Sequence, residues 1–205
     1  MPAQTDDKVW FDMRRKFAGM CADIKTLTSQ STNVLVLAHF PSTLNSVQQS
    51  LRTSFITYEP FSVADSSLLC SVNSSGKVWT GLASAFLPTT SQIGANSQTS
   101  SLQILVAEHH PISGKDRSLV ESAERLSCGP SICFHISLDD PLMRNFAGDK
   151  MTTMLKRMGA DENDPISHPF VTNAIQNAQE KIEKQVPRAV ETESMDDWFR
   201  FNLKT

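Results

Sequence analysis

The sequence predicts a three-layer α/β fold built on a mostly parallel sheet and followed by a C-terminal helical extension. Three observations carry this. Short apolar runs alternate with stretches of helical period, the pattern of parallel crossovers. One run, NVLVLAHF at 33–40, is continuously apolar from Val34 to Ala38, as expected of a strand buried on both faces. The 205 residues, 40% hydrophobic and 20% charged, suffice for one such domain with a substantial core.

In chain order, Val9, Trp10, Met13, Phe17, Met20, Cys21, Ile24 and Leu27 recur at three- and four-residue steps, which predicts a helix over 7–29. The strand at 33–40 follows. Pro41 and Ser42 open a helix to about Leu51, with Leu44, Val47 and Leu51 in phase. Apolar runs at 55–61, 67–72, 77–83, 102–108 and 132–137 read as strands, with SSGK at 74–77 as a turn. Residues 86–101 are rich in Ser, Thr, Gln and Asn and read as a mobile loop. Helices are expected at 115–126, 139–158 and 167–185, the last with Val171, Ala174, Ile175, Ala178 and Ile182 as its apolar stripe and Pro187 beyond its end. Three segments result: 1–138, 139–186 and a tail at 187–205.

Composition narrows the function classes. A net charge of −3 and a pI near 5.9 supply no general attraction to nucleic acid, so none is expected as a partner. No window approaches roughly 18 uninterrupted apolar residues, and MPAQTDDKVW lacks a basic, apolar leader, so a cytoplasmic protein without a transmembrane segment is expected. Of Cys21, Cys70, Cys128 and Cys133, only the last two lie near each other, and not at zinc-ligand spacing. Four buried, reduced thiols and no metal are the expectation.

The stretch 137–185 carries Ser137, Leu138, Asp140, Leu142, Met143, Arg144 and Phe146, then Ile166, His168, Pro169, Val171, Thr172, Ala174, Ile175, Ala178, Gln179 and Glu183. In this spacing it resembles the SecA preprotein translocase ATPase, where the second nucleotide-binding domain passes into the helical scaffold. Residues 101–140 continue the resemblance with Leu102, Glu108, His110, Asp116, Leu119, Arg125, Ser131 and Phe134. It implies a RecA-like, P-loop-NTPase-type fold. The groups that handle phosphate in that family are mostly replaced. At its motif arginines stand Val120, Ser122 and Arg125, and at its loop glycines Pro88 and Thr90, with Thr89 and Gln92 for the loop's arginine and aspartate. A missing arginine finger costs ~10³–10⁵ in rate, and glycines permit close phosphate approach that a side chain obstructs.

The resemblance therefore implies a degenerate domain, a pseudo-ATPase without catalytic residues or a bound cofactor. Its expected role is a protein-interaction or regulatory module linked to preprotein translocation. Its partner would be an ATPase or a translocase component, or a second copy of itself. The alternative is a partial motor that binds ATP only by completing a site with a separate P-loop protein, using Arg125 and the loop at 84–93. Other local chemistry reads as structural. SGK at 113–115 lacks the leading glycine and the following Ser or Thr of a phosphate loop and reads as a turn before a helix. His109 and His110 end a strand and read as structural or interdomain contacts. Ser137, Asp139 and Asp140 read as a helix cap. The tail joins acidic residues to Trp198, Phe199 and Phe201, which either fold back on the domain or enter a partner's groove. Deleting it is expected to leave the domain folded.

Overall fold

The computed structural model describes residues 4–62, 66–71, 76–86, 101–146, 148–157, 159–166 and 169–203. Six strands form one all-parallel sheet: β1 (Thr5–Trp10), β2 (Asn33–Ala38), β3 (Glu59–Pro60), β4 (Val78–Leu82), β5 (Leu102–Val106) and β6 (Ser131–Ser137), in the order β1-β6-β5-β2-β4-β3. Helices α1 (Met13–Ser29) and α2 (Pro41–Thr53) cover one face. There Met20, Ile24, Val47 and Leu51 pack on Val34, Val36, Ala38 and Leu105. On the other face Leu35, Leu37, Ile104 and Val106 meet α5 (Ser113–Glu124), α6 (Pro141–Phe146), α7 (Gly148–Arg157), α8 (Pro169–Gln185) and α9 (Met195–Asn202) through Leu119, Leu142, Leu155, Ile175 and Trp198. Every residue of β2 is buried, which is why its run lacks alternation. This is the three-layer α/β fold predicted, and the extension and tail share its core.

Several elements differ from expectation. The predicted helix at 7–29 begins only at Met13, where Asp12 caps it by accepting the Arg15 amide at 2.7 Å. Val9 and Trp10 fit a helical period, but their backbone pairs with Ile136 and Ser137 at the edge of the sheet. Trp10 then lies over α1 at Gly19, where a β-carbon would stand 2.1 Å from the indole. The strand expected at 55–61 shrinks to Glu59–Pro60, and the run at 67–72 instead carries the short helix α3 (Ser66–Leu69). A further short helix, α4 (Ala83–Phe86), extends β4, and the helix expected at 139–158 is split into α6 and α7. The loop at 86–101 and the SSGK turn fall mostly outside the described residues, as does His168.

The thiols are also corrected. Cys70 is bonded to Cys128, with their α-carbons 5.6 Å apart, while Cys21 and Cys133 are free and buried. Their separation in sequence concealed the pair. It joins the segment before β4 to the turn after α5.

Candidate functional site

After β2 the chain moves toward β4 and β3, whereas after β5 it moves the other way to β6. The switch point therefore lies between β2 and β5, and in open parallel sheets the crevice beyond such carboxyl ends is the usual ligand site. His39 follows β2 there, and Glu108, His109 and His110 follow β5. Each is held by a specific partner. Glu108 accepts from the amides of His39 (3.1 Å) and Phe40 (3.0 Å) and from Thr43 Oγ1 (2.7 Å). It thus caps α2 from another strand, since the residue before that helix, Phe40, offers no side-chain cap. Burial raises the Glu108 carboxyl above its ordinary range, against the lowering effects of Lys16, Thr43 and His39.

His109 lies between two carboxylates, with Nδ1 2.8 Å from Asp116 and Nε2 3.3 Å from Asp7. Burial alone would disfavour its charge, but Asp116 and Asp7 more than reverse this and lift it to about 10. The imidazolium in turn holds both acids below their ordinary values, despite their burial. Asp116 also accepts from the His110 amide (3.0 Å) and from Gln179 on α8 (2.8 Å), and Asp7 from Thr172 (2.9 Å). His39 Nε2 approaches Asp116 at 2.8 Å, but off the line of a proper hydrogen bond. The network ties β1, the end of β5, α5 and α8 together. His110 itself is pushed down to about 4, first by burial and then by the neighbouring His39, so it is neutral at pH 7. Thus the two histidines read from the sequence as contacts do opposite electrostatic jobs.

The other expected residues are dispersed. Arg125 forms the carboxyl cap of α5, exposed and at the far end of that helix from Asp116. Ser122 is buried and Val120 packs against the core, so these two family arginine positions face inward. Ser113 opens α5 and gives both its amide and its hydroxyl to Glu183, at 2.7 and 2.6 Å. SGK is therefore a helix start capped from α8. Asp140 accepts from buried Lys16 (2.6 Å) and from the Ser137 amide (2.7 Å), so it is an ion-pair partner, not the cap expected. The tail folds back. Trp198 is fully buried, edge-on to His110 at 5.8 Å, and Phe199 packs on Trp198 and Phe146. Of the three expected contact residues only Phe201 is exposed, because α9 turns its apolar stripe onto the core. Sequence reasoning missed Asp7 and Lys16, whose partners lie far along the chain. Among the described residues no group of three or more His, Cys, Asp or Glu could hold a metal ion, and no helix is long and apolar enough to cross a membrane.

The protein translocase subunit SecA of Sorangium cellulosum (strain So ce56) is 40% identical over 84 residues, 41% of this chain and 8% of that protein. That of Methylococcus capsulatus is 40% identical over 82 residues, 40% of this chain and 9% of that protein. That of Chlorobium phaeobacteroides (strain BS1) is 28% identical over 185 residues, 88% of this chain. The resemblance to SecA is shown. It reaches along nearly the whole SecA-like chain, which spans 8 to 18% of the length of these relatives. No family model matches the chain. A solved structure, the C-terminal part of the Fun30 ATPase domain, superposes with a TM-score of 0.46 at 12% identity, covering 82% of this chain and 54% of that one.

Proposed function

We propose that this SecA-like domain performs no phosphoryl transfer of its own and serves as a protein-interaction or regulatory module in protein translocation. The observation that carries this reading is the inward packing of Val120 and Ser122, where the family places arginines that reach toward phosphate. A transferring phosphoryl group needs concentrated positive charge, and the remaining Arg125 is a single cation at the distant end of α5. Glu108, His109 and Asp116 nearby are consumed in holding α2, α5 and α8. A cytoplasmic location, with an ATPase, a translocase component or a second copy as partner, belongs to the same proposal.

Calorimetric titration of the chain with ATP and magnesium, together with a phosphate-release assay, tests it. Neither binding nor turnover is expected. Turnover lost on Arg125→Ala would refute the proposal, and ATP binding that appears only with an added P-loop ATPase would favour the partial motor.

A further inference from the structure

The Cys70–Cys128 bond joins two unlike surroundings. Cys70 is 5% exposed and belongs to the core, whereas Cys128 is only partly buried, in a turn whose Ser127 and Gly129 are exposed. Gly129 has a φ of +56°, and a β-carbon there would meet nothing within 4 Å, so open space adjoins this turn. Cys70 directly follows α3, a single helical turn, and one turn makes too few internal hydrogen bonds to stand alone. It is held from outside. Leu69 is fully buried, Asn33 Nδ2 donates to the Leu69 carbonyl at 2.9 Å, and the bond fixes the next residue. Asn33 opens β2 and Cys128 lies shortly ahead of β6, so this anchorage stands at the amino ends of the strands, away from the histidines that follow β2 and β5. The other two thiols do not compete. Cys21 and Cys133 are buried, and burial pushes Cys133 up to about 12, which keeps it a thiol at neutral pH.

We propose that this bond is a redox switch: a dithiol reductant opens it in the folded protein and frees residues 66–71 from the turn at 127–129, while the sheet stays intact. A thiolate of the dithiol attacks Cys128 Sγ from the open side, and the S–S electron pair leaves on Cys70 Sγ, which takes a proton from water. The reductant's second thiolate then attacks its own sulfur in the mixed disulfide, and Cys128 leaves likewise. The protein gains two electrons and two protons, and the dithiol becomes a disulfide. The released Cys70 packs as a small apolar side chain, and α3 loses the covalent part of its anchorage. In an oxidising compartment the bond is a lasting clasp, whereas in a reducing one, where lasting disulfides are rare, it follows the local thiol balance. The switch is independent of nucleotide turnover, so its failure would leave the proposed function standing.

The full chain, equilibrated without denaturant in mixtures of reduced and oxidised dithiothreitol, tests this. Acid quenching, alkylation and digestion then give the fraction of Cys70–Cys128 linked peptide by mass spectrometry, and amide hydrogen exchange is followed on the same samples. The linked peptide should disappear and return reversibly, with Cys21 and Cys133 alkylated as thiols in every mixture. In the reduced form, exchange across 66–71 should quicken by roughly tenfold or more, the order by which a disulfide restrains an opening, while β2 and β5 keep their protection. The double variant Cys70→Ser, Cys128→Ser should match the reduced form in either buffer. A bond reduced only in denaturant is a structural clasp and overturns the switch. So does native reduction that leaves exchange at 66–71 unchanged, or that quickens it throughout the sheet.

Discussion

The histidines 109 and 110 share a backbone and differ in charge because of what each ring faces. His109 sits between two carboxylates, whereas His110 stacks on Phe40 and meets Trp198 edge-on. Opposite shifts give opposite pH limbs. His109 rises to about 10 in the folded protein, so its contribution is complete below about 6.5 and is lost as pH climbs through 10. His110 falls to about 4, so the unfolded chain binds the extra proton between about 6.5 and 4, and acid destabilises the fold there. Stability should therefore peak near neutrality. Thermal melts from pH 4 to 10 would check this, and His109→Gln should flatten the alkaline limb. An unchanged alkaline limb would remove His109 from the account. The pairing of His109 with Asp7 could not be read from the sequence, because 102 positions separate them and only the β1–β6–β5 order brings them together.

Helix α9 begins at a readable signal, since Ser194 Oγ accepts from the Asp197 amide at 3.1 Å and two acids occupy its first turn. Its destination was not readable. Trp198 and Phe199 could equally have entered a foreign groove, and only the depth of the pocket beside His110 and Phe146 decides that they close this chain's own core. Trp198→Ala should cost about 3–5 kcal/mol, the usual loss for a large aromatic removed from a core. Deleting 188–205 should likewise destabilise the domain, contrary to the sequence expectation that it stays folded. Denaturant titration of both variants measures this, and an unshifted midpoint would place Trp198 outside the core. The legible elements were those with one unambiguous signal: β2 with its unbroken apolar run, α2 with Pro41 at its start, and α8 with its stripe. Elements that failed had two. Val9 and Trp10 satisfy helical spacing, yet edge pairing with β6 claimed them, and Leu69 looked like strand but fills the core from a helical turn.

For the molecule as a unit, the Cys70–Cys128 bond closes a long loop whose ends are 58 positions apart. The chain-entropy account gives ~4 kcal/mol for a loop of this length, and native bonds typically deliver about 2–4 kcal/mol. Reductant, or Cys128→Ser, should lower the unfolding free energy by that amount. Identical denaturation curves with and without reductant would show that the bond contributes nothing. In a reducing compartment the protein would work in its weaker form. The position of β1 has a different consequence, one that concerns birth and not equilibrium. Trp10 meets His135 across 125 positions, and β6 is the strand with which β1 pairs in the sheet. A ribosome adding ~5–20 residues per second takes about 6–25 s to supply that neighbour. Throughout this interval Val9, Trp10 and Phe11 are out of the tunnel or near its mouth with no sheet to join, which makes the nascent chain a client for whatever shelters apolar segments during synthesis.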